Sequence, residues 1–354
     1  MDKPSTCSAL TIGLWLTVIA MPVSAGFDEG LTAAKKGDFK TAFEQWRPLA
    51  QEGDARAQDK LGHMYAEGKG TPRNDVQAVT WFRKAADQGN GDAQFYLAAM
   101  YYHGRGVSQD YKEAVAWSRK SAERGNADGQ GLLGAMYADG TGVQQDYKEA
   151  AEWYRKAAQQ GEAAAQRALG GLYATGQGVP KDYTEALRWF RKAADQGVAQ
   201  AQDDMGAMYF YGYGVPQDYH MAMDWFRKAA DQGNDNAQHD LGTMYLNGYG
   251  VPQDYKEAVA WFRRSADHGN ANGEAKLALM YGNGSGVSKN LVVAYALSNL
   301  AAAGELSSSH IASAYRSVIA KKLNNHEIEA AQALTRSMER PGDILKAMDN
   351  YINK

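Results

Sequence analysis

Apolar residues recur along most of the chain in two alternating helical patterns. In 54–67, Ala57, Leu61, Met64 and Tyr65 fall at i, i+4, i+7 and i+8, one face of an α-helix. In 75–88, Ala78, Trp81, Phe82, Ala85 and Ala86 mark a second amphipathic helix, with the Trp and Phe expected in the core. Asp110/Glu113, Asp146/Glu149, Asp182/Glu185 and Asp254/Glu257 predict capping boxes at the start of the second helix, with Asp as the cap. Asp218 is followed by Met221 and carries half of that signal. Pro180, Pro216 and Pro252 stand two residues before their caps and place the connecting loop. Gly89, Gly125, Gly161, Gly197, Gly233, Gly269 and, one residue early, Gly304 fit the left-handed position past a helix end. Gly62 and its equivalents Gly134, Gly170, Gly206 and Gly242 let the partner helix come close, which offsets the roughly 1 kcal/mol that glycine costs a helix.

Both patterns repeat every thirty-six residues. Trp81, Trp117, Trp153, Trp189, Trp225 and Trp261 keep that period, as do the tyrosines from Tyr65 to Tyr281 and a G-x-G pair from Gly68/Gly70 to Gly284/Gly286. Self-similarity at this spacing means stacked helix pairs rather than separate domains. The units read 54–89, 90–125, 126–161, 162–197, 198–233, 234–269 and 270–304. Residues 26–53 read as an N-terminal half-repeat covering one end, with Phe39, Ala42, Phe43, Trp46 and Leu49 on its second helix. Residues 305–354 read as a helical cap, with helices near His310–Leu323 and Asn325–Met338 and a short one after Pro341-Gly342. The fold class is all-α.

The pattern A-x-x-x-L-G-x-x-Y, G-x-G-V, D-Y-x-E-A-x-x-W-[FY]-R-K-A-A-x-Q-G resembles the Sel-one-like repeat (SLR), a relative of the tetratricopeptide repeat. Ala165, Leu169, Gly170, Tyr173, Gly176, Gly178, Asp182, Tyr183, Glu185, Trp189, Phe190 and Gly197 carry it in one unit. The resemblance implies a right-handed superhelical α-solenoid with a concave face, and roles in bacterial envelope assembly, polysaccharide secretion or host-protein binding. Leu297 and Asn290 replace the Trp and cap Asp of the last unit, as a terminal repeat allows.

The N-terminus changes the picture. Ala9–Met21 is an apolar run too short for a membrane of roughly 30 Å. Lys3 precedes it, Pro22 breaks it, and Val23-Ser24-Ala25 offers the small residues read by a signal peptidase. Residues 1–25 are therefore expected to be a cleaved signal peptide, leaving a periplasmic or secreted chain. Cys7, the only cysteine, goes with it, which suits an oxidising compartment and excludes a disulfide framework. A monomer is the default expectation.

The formal charge of −3 provides no net basic field for nucleic acid. The recurrent Arg83-Lys84, Arg119-Lys120, Arg155-Lys156, Arg191-Lys192, Arg227-Lys228 and Arg263-Arg264 pairs read as a solvated face, ion-paired at i+4 with residues such as Asp87 and Asp195. The histidines lack metal-ligand spacing, His326-Glu327 is no H-E-x-x-H, and the G-x-G pairs follow helices rather than strands. No catalytic, cofactor or metal residue emerges, so a non-catalytic protein-interaction scaffold is the expected function. Some cysteine-rich exported relatives are described as binding or hydrolysing β-lactams, but their paired cysteines are absent here. An envelope enzyme or β-lactam-binding protein and a glycan- or peptidoglycan-binding module are the alternatives. A partner must be read by positions that vary between units. Tyr213, Tyr249, Tyr211, Phe210 and Leu246 in units five and six, and Tyr102, His103 and Arg105 in unit two, are the candidates. Tyr213 and Tyr249 are expected to stand as neighbours on one ridge.

Overall fold

The structure, a computed structural model, describes residues 23–304 and 308–353, and among them are nineteen helices and no strand. The expected signal peptide lies outside the described residues except for 23–25, whose backbone opens the first helix. The chain divides into two units, the first ending at Gly129 and the second starting at Gln130.

The first unit contains α1 (Val23–Lys35), α2 (Phe39–Glu52), α3 (Ala55–Glu67), α4 (Asp75–Asp87), α5 (Gly91–His103), α6 (Tyr111–Glu123) and the start of α7 (Ala127–Asp139). At its beginning α1 packs on α2, and the Trp46 indole donates to the Phe27 carbonyl at 3.1 Å. Phe27, Ala42, Trp46 and Leu49 then share a core with Leu61 and Met64 of α3.

The second unit continues through α8 (Tyr147–Gln159), α9 (Ala163–Thr175), α10 (Tyr183–Asp195), α11 (Ala199–Tyr211), α12 (Tyr219–Asp231), α13 (Asp235–Asn247), α14 (Tyr255–Asp267), α15 (Ala271–Asn283) and α16 (Leu291–Ala303). From α9 onward each odd helix packs on the even helix after it, and each even helix on the next odd one. Stacked helix pairs of this kind are an α-solenoid. Its last core is completed by α17 (Ser308–Ala320), α18 (Asn325–Ser337) and α19 (Ile344–Ile352). α17 and α18 lie on α16, and α19 returns to α14, where Arg263 meets Asp349 at 2.5 Å.

Local rules explain each pair. A Cβ on Gly206 would stand 2.5 Å from the Phe226 ring, so glycine there lets the fully buried Phe reach the neighbouring helix. The first six repeats end as their closing glycines predict. Gly197 has φ +87°, its N–H reaches the Ala194 carbonyl, and the Val198 N–H reaches that of Ala193. Gly304 departs from this, with φ −71° in an extended conformation.

The capping boxes are only half formed. The Asp182 side chain accepts from the Thr184 and Glu185 N–H groups at 2.9 and 3.1 Å. The Asp182 N–H, however, already donates to the Tyr173 carbonyl at 2.9 Å, which leaves Glu185 no amide to accept from. The full box occurs instead at Asn324/Glu327, at the start of α18.

The tryptophans lie between repeats. Trp225 joins the core of Ala186 and Phe190, and Trp261 that of Ala222 and Phe226, in each case the pair before its own. Trp117, Trp189, Trp225 and Trp261 are buried, whereas Trp81 and Trp153 are half-buried. The basic pairs also look across repeats. Arg191 donates to the Tyr209 hydroxyl and Arg263 to that of Tyr281, each at 2.9 Å, whereas the lysine of the pair stays on its own helix, Lys156 lying 3.7 Å over the Trp153 ring one turn back. Arg191 and Arg263 thus reach hydroxyls of the next repeat, where i+4 ion pairs with Asp195 and Asp267 were expected.

Candidate functional site

The varying positions fall at the C-terminal ends of the odd helices and in the loops after them: Tyr102 and His103 end α5, Phe210 and Tyr211 end α11, Leu246 lies in the last turn of α13, and Arg105, Tyr213 and Tyr249 follow in the loops. Gly178 and Gly214 have φ of +69° and +71°, and a Cβ on either would strike the carbonyl of Tyr147 or Tyr183 in the even helix of the preceding pair. Only glycine allows that approach. The residue between the two glycines is thereby laid along the same first turn. Tyr213 stacks on Tyr183 with centroids 4.6 Å apart and planes at 5°, and Tyr249 stacks on Tyr219 at 5.1 Å and 21°. In the first unit the equivalent Lys69 lies 5.3 Å over Phe39, and Arg105 pairs with Asp75 at 2.9 Å. At these four positions the variable residue of G-x-G is first a tie between repeats.

Tyr213 and Tyr249 are linked through intermediate rings, each occupied by its own first-turn tyrosine. Tyr211 stacks on Tyr213 at 5.4 Å, and Phe210 meets Tyr211 at 4.9 Å, Tyr219 at 5.2 Å and Tyr249 at 5.5 Å. A six-ring path results, from Tyr183 through Tyr213, Tyr211, Phe210 and Tyr219 to Tyr249. Its outer members are open: Tyr211 is 59% exposed and Tyr213 40%. Phe210, Tyr249 and Leu246 are half-buried, with Leu246 against the core of the following repeat.

Beside the path, on the same odd helices, Asp204 pairs with Arg167 at 2.6 Å and His239 with Asp240 at 3.0 Å. Burial, then the Asp240 and Asp204 carboxylates, push the Asp203 carboxyl up to about 8. Burial and Asp240 likewise raise the Tyr211 phenol. Among the described residues no group of three or more His, Cys, Asp or Glu side chains converges to hold a metal.

In the first unit, Tyr102 stands edge-on to exposed His103 at 5.0 Å and to Tyr111 at 5.4 Å. Arg105 is committed to Asp75, whose carboxyl Arg73 and Arg105 hold below the usual carboxylate range.

The family model described as the Sel1 repeat matches residues 55–90, 91–126, 127–162, 163–198, 199–234, 235–270 and 271–305. The chain belongs to the Sel1 repeat family. Sel1 repeat proteins are in general protein-interaction scaffolds. Among solved structures, a Sel1 repeat protein from Oxalobacter formigenes is 32% identical, with a TM-score of 0.63 over 68% of this chain and 96% of its own. A protein described as a protective antigen present in uropathogenic Escherichia coli strains, displaying an SLR fold, is 26% identical with a TM-score of 0.53 over 94% of both chains. No curated protein matches the chain significantly.

Within these Sel1 repeats, sequence reasoning missed Tyr183 and Tyr219, which form the inner half of each stack. The available signal was the Tyr after each cap Asp, thirty residues before the middle of the next G-x-G. It also passed over Gln58, Gln166 and their equivalents. Gln166 donates to the Ala158 carbonyl at 3.1 Å and accepts from Gln196 at 2.8 Å, joining successive repeats.

Proposed function

We propose that this Sel1 repeat protein is an exported, non-catalytic scaffold that holds a protein partner in the bacterial envelope or the secreted space, and that the partner docks on the ring path around Tyr211. The observation that carries the reading is the exposure of Tyr211 and Tyr213 at the outer edge of a braced aromatic stack. Large rigid aromatics supply contact area with little entropy loss, and tyrosine is enriched among residues that dominate binding energy. Export is supported by the apolar run Ala9–Met21 and the small residues before Gly26. The likeness to a structure described as a protective antigen agrees with a place outside the cytoplasm.

The test is affinity capture from envelope and host fractions with protein starting at Gly26, followed by mass spectrometry. Tyr211→Ala is then compared with the parent against the captured partner. Loss of about 2 kcal/mol or more of binding is expected for a residue of this type, with the melting temperature unchanged. Equal affinity would make the ring path a packing feature only.

A further inference from the structure

A different surface in the first unit has no counterpart in the repeat pattern. Lys60 and His63 on α3, Asp92 and Tyr96 on α5, and Asp128 at the start of α7 line a cavity of about 390 Å³. Lys60 and Tyr96 are one repeat apart, as are Asp92 and Asp128, so the register of the odd helices sets them side by side. The equivalent positions later in the chain carry Leu132 and Ala168, or Ala164 and Gln200, so stacking of helix pairs does not require these side chains.

Beneath them lies Asp59, its side chain only 3% exposed. One oxygen meets Lys60 Nζ at 3.0 Å, while Oδ1 has no hydrogen-bond partner and faces Nε2 of the cavity-lining His63 at 3.5 Å. The His63 ring stands edge-on to Tyr96, centroids 4.2 Å apart. Asp92 is fixed by a 2.7 Å bond from Asn126. Three carboxylates thus face one ammonium group. The Tyr96 phenol registers the field: burial first, then Asp128, Asp59, Asp92 and Glu67, raise it above its ordinary value. A cavity of this size, lined by two aromatic rings and excess negative charge, rejects anions and suits a cation on an extended stem.

We propose that this cavity receives a lysine or arginine side chain of a protein partner, its cation beside the Asp92 and Asp128 carboxylates and its stem against Tyr96 and His63. This is a second contact surface, independent of the ring path. The occupant is a polypeptide side chain because the family in general binds proteins, and because the Tyr96 and His63 rings supply apolar surface to cover a methylene stem.

The test uses the full chain and fluorescein-labelled hexa-arginine and hexa-glutamate peptides, read by fluorescence anisotropy. The parent should bind hexa-arginine and leave hexa-glutamate free. Asp92→Asn with Asp128→Asn should weaken hexa-arginine binding at least tenfold. Glu152→Gln with Asp224→Asn, which removes equal charge from exposed positions on α8 and α12, should change it less than twofold. Lys60→Gln should tighten binding several-fold, a direction that loss of folding does not produce. Equal weakening in the two double variants, or no binding of hexa-arginine by the parent, would overturn the proposal. Displacement by arginine methyl ester as effective as by unlabelled hexa-arginine would also overturn it, since a free small cation would then fill the cavity.

Discussion

Six repeats carry a glutamine at one buried point, Gln58 to Gln238, and the seventh carries Glu274 there. Gln58 donates to the Ala50 carbonyl at 3.0 Å, eight residues earlier, and by the same register the acceptor opposite Glu274 is the Ala266 carbonyl. A carboxylate repels that carbonyl, and a protonated acid can donate to it. Burial pushes Glu274 from its ordinary 4.5 up to about 7. Its folded form therefore binds the proton more tightly than its unfolded form. The associated stability is fully present below about pH 4.5 and is lost as pH rises through about 7. Asp203 acts in the same sense up to about pH 8. At roughly 1.4 kcal/mol per pH unit across that window, Glu274→Gln should raise stability by up to about 3 kcal/mol at pH 8 and by little near pH 4.5. Denaturant titrations at the two pH values measure it, and a gain independent of pH would contradict the neutral-acid reading. The tryptophans give a second residue-scale contrast. Trp189 is 4% exposed, so Trp189→Ala should cost about 3–5 kcal/mol. Half-buried Trp153 should cost clearly less, and equal shifts in midpoint at constant slope would show that the rings are equally embedded.

At the scale of the element, the helix starts use one arm of a two-armed device. Asp182→Ala removes the acceptor for two orphan amides of α10 and should cost about 1 kcal/mol. Glu185→Ala should cost at most a few tenths of a kcal/mol, because its remaining contact is an exposed 2.8 Å pair with Arg188. Glu327→Ala should cost more than Glu185→Ala, since Glu327 does accept from the Asn324 N–H at 2.8 Å. Melting temperatures of the three variants order these effects, and a Glu185 variant as damaged as the Asp182 variant would mean that the second arm forms in solution. The D-x-x-E spacing made the helix starts legible in advance. It could not show that the cap amide was taken, because the Tyr173 carbonyl that takes it lies nine residues earlier on another helix.

For the whole molecule, no described helix is long and apolar enough to cross a membrane. Exported protein should begin at Gly26, and an intact mass retaining Cys7 would contradict that expectation. Far-UV circular dichroism should show helix with negligible strand. Much of this architecture was readable from the order of residues. An apolar stripe at helical spacing specifies its own helix, and repetition every thirty-six residues specifies that neighbouring pairs bury the same face. Helix type, helix length and the buried set around Leu61, Gly62 and Phe82 follow from those two periods. The ties between repeats do not. Arg191 reaches Tyr209 eighteen residues ahead, Tyr213 lies on Tyr183 thirty residues back, and Trp225 fills the core of the pair before its own. Each competed with a local alternative visible in the sequence, such as an i+4 ion pair for the arginine. An exposed pair of that kind is worth only about 0.2–0.5 kcal/mol. A half-buried hydroxyl held by the next repeat offers a stronger fixed acceptor, and only packing brings it within reach. For the same reason the candidate tyrosines were identifiable by their variation between units. Which ring is braced and which stands open, Tyr249 or Tyr211, was decided by how closely the glycine pair lets one repeat lie on the turn before it.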